Sequence, residues 1–294
     1  MVETKMIKGV VKGSLSDAEL IIDESIIAKP IEVIERSIVK SYRKYLWVKF
    51  IKAIKEYQLI QPGDKVAVAI SGGKDSLLLA KLFQELHKYS TFEFDVEYIA
   101  MDPGYNEDVR NHLESMLKHL EIPTTIYKSD VFEVAEFLDG VKPCYMCARM
   151  RRGALYAKAQ ELGCNKLALG HHFDDVIETI LLNVLCSGNY KTMMPKLKAE
   201  NFENMELIRP LYLIDEESII RFSQNAGIQP LNCACRIAEK HEGKRSEIKD
   251  LIKNLEGDFT NVRESIFKSA ENIDLGAIIG YKKDGEKINF LDNY

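Results

Sequence analysis

The sequence predicts an α/β fold: a doubly wound parallel sheet with extra helices toward both ends of the chain. Two observations carry this. Short, almost wholly apolar runs of strand length alternate with segments of helical spacing, the pattern of strands buried on both faces and crossed by helices. The first such run, "KVAVAI" (65–70), also stops at two glycines and passes directly into a helix-like pattern, as a strand does at a ligand-binding edge.

The elements follow in order. Residues 1–30 alternate apolar and polar groups without a strong helix signal, and suggest a short strand pair or a small extra module. Helical spacing begins near Pro30 and runs to about Tyr57, where "QPGD" marks a turn. After the strand at 65–70, Ser76 to Lys88 reads as helix, "FDVEYIAMD" (94–102) as strand, "NEDVRNHLESMLKHL" (106–120) as helix and "TTIYK" (124–128) as strand. A helix follows "CYMCARMRRGALYAKAQELG"; "KLALG" (166–170) is the fourth strand and "DDVIETILLNVLCSG" the next helix. Beyond Gly188 the pattern loosens. "MELIRPL" looks like a late strand, and "DEESIIRFSQNAG" like a helix with an acidic first turn and Gly227 beyond its end. From about Ala238 to Asn272 the chain is charged and helical.

The 294 residues suffice for one large α/β domain or two smaller ones, and a hydrophobic fraction of 46% suits a packed core. No apolar run approaches the ~18 residues of a membrane span, and "MVETKMIKGVVKG" lacks the apolar core of a signal peptide, so a cytoplasmic protein without membrane association is expected. The net charge of −5 means that any nucleic-acid surface must be local. One candidate is Lys40 to Lys55, with six Lys/Arg and no acid; Tyr42, Leu46, Phe50 and Trp47, Ile51, Ile54 recur in it at helical spacing. It is either an amphipathic helix with a solvated basic face or an RNA contact.

The glycines of "SGGKDS" (71–76) let the backbone turn sharply and approach a ligand. The helix start presents unpaired N–H groups, Lys74 a full charge, and Ser71 and Ser76 hydroxyls: an anion cradle. Neither the Walker A nor the dinucleotide G-x-G-x-x-G spacing fits. In "GHHFDDVIET" (170–179), two histidines and two aspartates stand at the start of the next helix. Asp174 or Asp175 could be only a helix cap, or could bind Mg²⁺, which takes oxygen ligands. Four of the six cysteines form the pairs "CYMC" (144–147) and "CAC" (233–235), a clustering that favours a metal site. Cys144 and Cys147, at i and i+3, share a helix face near its N-terminus, which favours thiolate. Spacing alone leaves a structural four-thiolate zinc site and an iron–sulfur cluster open. Cys164 and Cys186, in apolar surroundings, read as packing residues.

"SGGKDS" resembles the PP-loop of the ATP-pyrophosphatase superfamily, whose fold is of the adenine nucleotide alpha hydrolase-like type; the resemblance spans roughly residues 35 to 235. It implies that ATP is cleaved between its α and β phosphates and that a substrate is adenylated. The ATP site it implies comprises Ala69, Ile70, Ser71, Gly72, Gly73, Lys74, Asp75, Ser76, Met101, Asp102, Gly170, His171, Asp174 and Asp175, with adenine along the ends of the first two strands. "CYMCARMRRG", "GHHFDD", "MMPKL", "IRPL" and the late cysteine together resemble the tRNA 2-thiocytidine synthetase (TtcA-type) family. That resemblance implies a 4Fe-4S cluster on Cys144, Cys147 and Cys233, with one iron open for sulfur, and a cytidine of the tRNA anticodon loop, position 32, as substrate. The chain has "CAC" where the family commonly has C-x-x-C, so Cys233 against Cys235 stays open; spacing from "IIRF" favours Cys233. Lys74, Asp174 and Arg151 are the candidate catalytic residues, with Arg149 and Arg152 as further phosphate contacts.

The expected organisation is an N-terminal extension and basic helix (1–57), a catalytic ATP-binding domain with the iron–sulfur site (58–235) and a C-terminal helical extension (236–294). ATP, Mg²⁺ and the cluster are the expected cofactors. The expected partners are tRNA, a sulfur donor (sulfide or a cysteine desulfurase) and, as an option, a second copy of the chain in a homodimer. The alternatives are a related PP-loop thiolation of another tRNA base, or a nucleotide-gated RNA-binding module with structural zinc.

Overall fold

A computed structural model describes residues 22, 23, 25–129, 143–231 and 236–293, with the side chains of 143–148, 236–242 and 293 outside the description. Residues 1–21, which make up most of the expected N-terminal module, lie outside it as well.

The centre is a six-stranded sheet in the order β3-β2-β1-β4-β6-β5, formed by β1 (Lys65–Ile70), β2 (Asp95–Asp102), β3 (Thr124–Lys128), β4 (Lys166–Ala168), β5 (Lys196–Lys198) and β6 (Glu206–Ile208). All neighbouring pairs are parallel except β5–β6. The chain starts at β1, moves outward to β3, then returns to lay β4 on the other side of β1. The strand order therefore reverses between β1 and β4, where parallel sheets open a crevice at their carboxyl edge.

Alternation along β1 sorts its side chains. Val66, Val68 and Ile70 enter the larger core cluster; Ala67 and Ala69 enter the smaller one on the opposite face. The larger core takes in α1 (Ile31–Val39), α2 (Trp47–Glu56), α3 (Lys74–Tyr89), α4 (Glu107–His119) and α7 (Glu216–Ala226), through residues such as Ile34, Phe50, Phe83, Leu113 and Phe222. On the other face the short alanine side chains leave room for α5 (Pro143–Glu161), which contributes Tyr156 and Ala159. Helices on both faces make the sheet doubly wound.

Helix ends follow their residues. Asn106 caps α4 by accepting the Val109 N–H at 2.9 Å, and Asp215 caps α7 by accepting the Ser218 N–H at 2.9 Å. Gly227, at φ +70°, ends α7 in the left-handed conformation.

Beyond shifts of a residue or two at helix ends, the structure departs from the sequence expectations in four places. The single helix expected from Pro30 to Tyr57 is two, because the backbone widens between them: the Tyr42 and Val48 N–H groups donate to carbonyls five residues back, Ser37 and Arg43. Tyr42 meets the Phe222 ring edge-on at 5.6 Å, and its hydroxyl donates to Arg221 O at 3.1 Å. β4 ends at Ala168 rather than 170, although the Leu169 N–H still donates to Ile208 O. β5 and a hairpin, β7 (Gly280–Lys283) with β8 (Glu286–Asn289), were not expected. Cys186 is exposed rather than packed, because it sits in the solvent-facing last turn of α6 (Phe173–Ser187); Cys164 is buried as expected.

The chain divides into two compact units, one of residues 1–175 with 194–244 and one of residues 176–193 with 245–294. The second holds most of α6, α9 (Val262–Ser269) and the hairpin, tied internally by Arg245 Nε to Glu178 at 2.7 Å and by Tyr190 to Ser269 at 2.6 Å. The remaining helix is α8 (Arg236–Asp258). Among the described residues no helix is long and apolar enough to cross a membrane.

Candidate active site at the reversal of strand order

The carboxyl ends of β1 and β4 deliver residues 71–76 and 170–175 to the same crevice. Two serines organise the first loop. Ser76 Oγ donates to Gly73 O at 2.9 Å and lies 3.1 Å from both the Ser71 N and Oγ; the Gly73 N–H reaches Ser71 Oγ at 3.3 Å. Gly72 is at φ +79°, a region that disfavours any residue with a Cβ. A Cβ there would also meet Leu231 Cδ1 at 2.6 Å, and Gly72 O accepts the Leu231 N–H at 2.9 Å. Gly73, the N-cap of α3, provides no side-chain cap, so the first-turn amides and dipole of the helix are offered to an anion. This is the fit expected of a phosphate cradle.

Gly170 lets β4's end close onto that loop. A Cβ on it would lie 3.2 Å from the Asp75 carbonyl carbon and 3.3 Å from Ser76 N. His172 is buried beside three acids, its Nε2 3.6 Å from Asp175 and 3.9 Å from Asp75, its Nδ1 3.9 Å from Asp174. Asp175 Oδ2 accepts the His172 N–H at 3.0 Å, as a third helical residue reaching back to the helix start does. Asp174, 8% exposed, accepts the Glu216 N–H at 2.8 Å. Both aspartates thus hold backbone, whatever else they bind.

Lys74 Nζ is 3.1 Å from Glu216 and 3.3 Å from Asp75. Burial works against its charge, but these two carboxylates outweigh it and raise its pKa. Burial likewise pushes the Asp75 carboxyl up, against His172 and Lys74, with Asp175 adding to the rise. Asp102 is buried and committed to its own turn, accepting the Gly104 and Tyr105 N–H groups at 2.9 and 2.8 Å and Arg110 at 3.2 Å. Ala69, Ile70 and Met101, all buried, form an apolar wall at the ends of β1 and β2. His171 stands half-buried at the crevice.

The matching family model is the PP-loop domain, over residues 46–232. A tRNA-cytidine(32) 2-sulfurtransferase of Pelobacter propionicus is 38% identical over 226 residues, covering 76% of this chain and 83% of the relative. The chain belongs to the tRNA-cytidine(32) 2-sulfurtransferase family of PP-loop proteins. A second 2-sulfurtransferase, from Geotalea uraniireducens, is also 38% identical, across 76% of this chain and 88% of its own. Among solved structures, the U34-tRNA thiolase NcsA from Methanococcus maripaludis with its 4Fe-4S cluster aligns at a TM-score of 0.59 and 25% identity, over 79% of this chain and 81% of that one.

Measured against the site expected of a 2-sulfurtransferase, the structure brings together residues 69–76, 101, 102 and 170–175 at one sheet edge. Arg151 lies half-buried on α5, with Arg149 and Arg152 exposed. Positions 144 and 147 fall in the first turn and a half of α5, while the side chains of Cys144 and Cys147, and residues Cys233 and Cys235 altogether, lie outside the described residues. Among the described residues no three His, Cys, Asp or Glu side chains form a metal-binding group. Sequence reasoning missed two contributors. Glu216 reads only as an acidic helix start and Leu231 only as apolar; no local spacing links the first to residue 74 or the second to residue 72.

Proposed function

We propose that this chain adenylates the cytidine at position 32 of the tRNA anticodon loop and replaces its C2 oxygen with sulfur. Membership of the 2-sulfurtransferase family supports the reaction class. The observation that carries the reading to particular residues is the uncapped start of α3, folded against Gly170 and armed with Lys74. ATP lies with its phosphates on Ser71 to Ser76 and its adenine toward Ala69, Ile70, Met101 and Asp102. The base's C2 oxygen attacks the α-phosphate and pyrophosphate leaves; sulfur then takes the place of the adenylated oxygen and AMP departs. The loop amides and Lys74 stabilise charge growing on the phosphates. Lys74 is free to do so once phosphate displaces Glu216 and Asp75 from it.

Charge argues for Mg²⁺ arriving with the nucleotide. Asp75 and Glu216 hold Lys74, and Asp174 and Asp175 stand beside His172 at the same crevice, a gathering of carboxylates that works against a bare triphosphate. Mg²⁺ characteristically takes one or two carboxylates together with substrate phosphates, and Asp174 and Asp175 are the carboxylates proposed for it. Cys144 and Cys147 stand three apart in α5; thiolates are soft donors, and with Cys233 these residues would hold a 4Fe-4S cluster. Such a cluster would supply the sulfur that replaces the adenylated oxygen. Arg151 is proposed to meet phosphate beside it. A loop nucleotide can be turned out toward the crevice at modest cost. tRNA and a sulfur donor are the proposed partners, and the cytoplasm the proposed location.

The test is mass spectrometry of nucleosides from tRNA incubated with anaerobically purified protein, MgATP and sulfide. 2-Thiocytidine is expected, and none with Lys74→Ala, whose visible absorbance should match wild type. A colourless, zinc-loaded protein that leaves tRNA unmodified would support the RNA-binding module instead.

A further inference from the structure

Arg209 is 5% exposed at the carboxyl end of β6, one residue beyond Ile208, which pairs with Ala168 of β4. A guanidinium carries five N–H donors. Among the described residues, one bond uses them, from Nη1 to Met194 O, and no carboxylate lies within ion-pair distance. Nε is buried without a partner. A cation taken out of water is costly unless an anion or several acceptors compensate it, and this one has a single hydrogen bond and, among the described residues, no direct ion pair. A second arginine makes matters worse. Burial, joined by the positive charge of Arg152 on α5, pushes the Arg209 pKa down to about 10, against Tyr212, Tyr156 and Asp175. Arg152, exposed on α5, thus adds a second positive charge in the surroundings of the buried Arg209.

The position identifies the ligand class. β6 neighbours β4, whose end packs on the phosphate loop through Gly170, and Asp175 of the same crevice is close enough to act on Arg209. Guanidinium forks suit phosphate oxygens. An RNA backbone phosphate sits on the outside of its polymer and suits exposed arginines such as 149; a nucleotide can enter a crevice and reach a buried one. We infer that Arg209, assisted by Arg152, binds a phosphate of the nucleotide in the crevice, as a second anion contact opposite the loop at 71–76. The inference rests on the ATP reading above.

The experiment measures MgATP and tRNA affinities and the ligand-free melting temperature for wild type, Arg209→Met, Arg152→Ala and Lys74→Ala. Methionine keeps length and loses charge. Arg209→Met should weaken MgATP at least tenfold, leave tRNA affinity unchanged and leave the melting temperature equal or raised, since an uncompensated buried charge has gone. Arg152→Ala, at an exposed site, should weaken MgATP about threefold and serves if Arg209→Met does not fold. A fall in melting temperature with unchanged MgATP affinity would overturn the inference in favour of a structural role. Loss of tRNA affinity alone would assign the phosphate to RNA and overturn it as well. Failure of wild type to bind MgATP would instead sink the nucleotide reading; loss in Lys74→Ala, with none in the two arginine variants, would sink only this inference.

Discussion

Replacing Gly72 by alanine puts a methyl group where the structure has the side chain of Leu231. Two costs follow, and a second glycine separates them. The backbone cost is that of holding an L-residue at φ +79°, about 1–2 kcal/mol, offset by roughly 0.4–1 kcal/mol because alanine restricts the unfolded chain. The steric cost arises because the new Cβ would lie 2.6 Å from Leu231 Cδ1 and 3.1 Å from Leu113 Cδ1. Leu231 can yield at its tip, but its own N–H is pinned to Gly72 O, so about 1–2 kcal/mol of overpacking is expected. Gly63 is the control: it sits at φ +82° with nothing within 4 Å of its would-be Cβ. Urea unfolding should therefore show Gly63→Ala losing about 1 kcal/mol and Gly72→Ala about 2–3 kcal/mol. MgATP affinity should fall at least tenfold in Gly72→Ala alone, since Gly63 precedes β1 at the opposite sheet edge. Equal stability losses in the two variants would refute the contact with Leu231, and unchanged ATP affinity in Gly72→Ala would refute the loop as the phosphate site.

Two further expectations concern the basic segment and its neighbours. Burial would push the Asp215 carboxyl up, but Lys49 at 2.8 Å and Ser218 outweigh it and hold it down at about 2. A carboxyl depressed in the folded state stabilises the fold above its unfolded pKa, and that contribution fades as pH falls from about 4 toward 2. Asp215→Ala should cost about 1–2 kcal/mol at pH 7, combining a lost helix cap with a lost ion pair, and the difference from wild type should shrink below pH 4 in thermal melts. Lys49 is occupied by Asp215 and Lys52 approaches Glu56 at 3.6 Å, whereas Lys40, Arg43, Lys44 and Lys55 are exposed. Reversing Arg43 and Lys44 to Glu should weaken tRNA binding and flatten its dependence on salt, because fewer counterions are released; an unchanged slope would mean a plain solvated face.

The parts of the fold legible in the sequence are those where one local rule decides. β1 has the expected bounds because an unbroken apolar run flanked by a turn and two glycines leaves no alternative, and β3 does as well. α3 begins two residues earlier than expected because Lys74 and Asp75, polar and assigned to the loop, fit a first turn equally well. β5 is three residues long and takes its conformation from pairing with β6, which no local pattern announces. The β7–β8 hairpin was legible and overlooked: Asp284 and Gly285, at φ 52° and 88°, form the Asp-Gly turn that joins tight hairpins, hidden in a charged stretch read as helical surroundings. In the site, motif residues were legible and their partners were not. "SGGKDS" and "GHHFDD" each advertise chemistry, but the ion pair between Lys74 and Glu216 spans 142 positions of sequence and is set by how α7 lies beside α3.

That difference bears on how substitutions at the crevice should be understood. Three segments meet the phosphate loop there, through four residues: Gly170 by close packing on Asp75 and Ser76, Glu216 by its ion pair with Lys74, Leu231 by its N–H to Gly72 O, and Asp174 through its hold on the Glu216 N–H. Asp174 is therefore two steps from Lys74 even without any metal. Removing its carboxylate frees the start of α7, loosens Glu216 and changes what Lys74 is paired with before a nucleotide arrives. Asparagine keeps an oxygen that can accept the Glu216 N–H while losing the charge that Mg²⁺ requires; alanine loses both. A defect shared equally by Asn and Ala at position 174 belongs to the charge, and the additional defect of Ala belongs to the placement of Glu216. Loss of activity in Asp174→Ala alone would thus be a statement about the geometry around Lys74 rather than about a metal ligand.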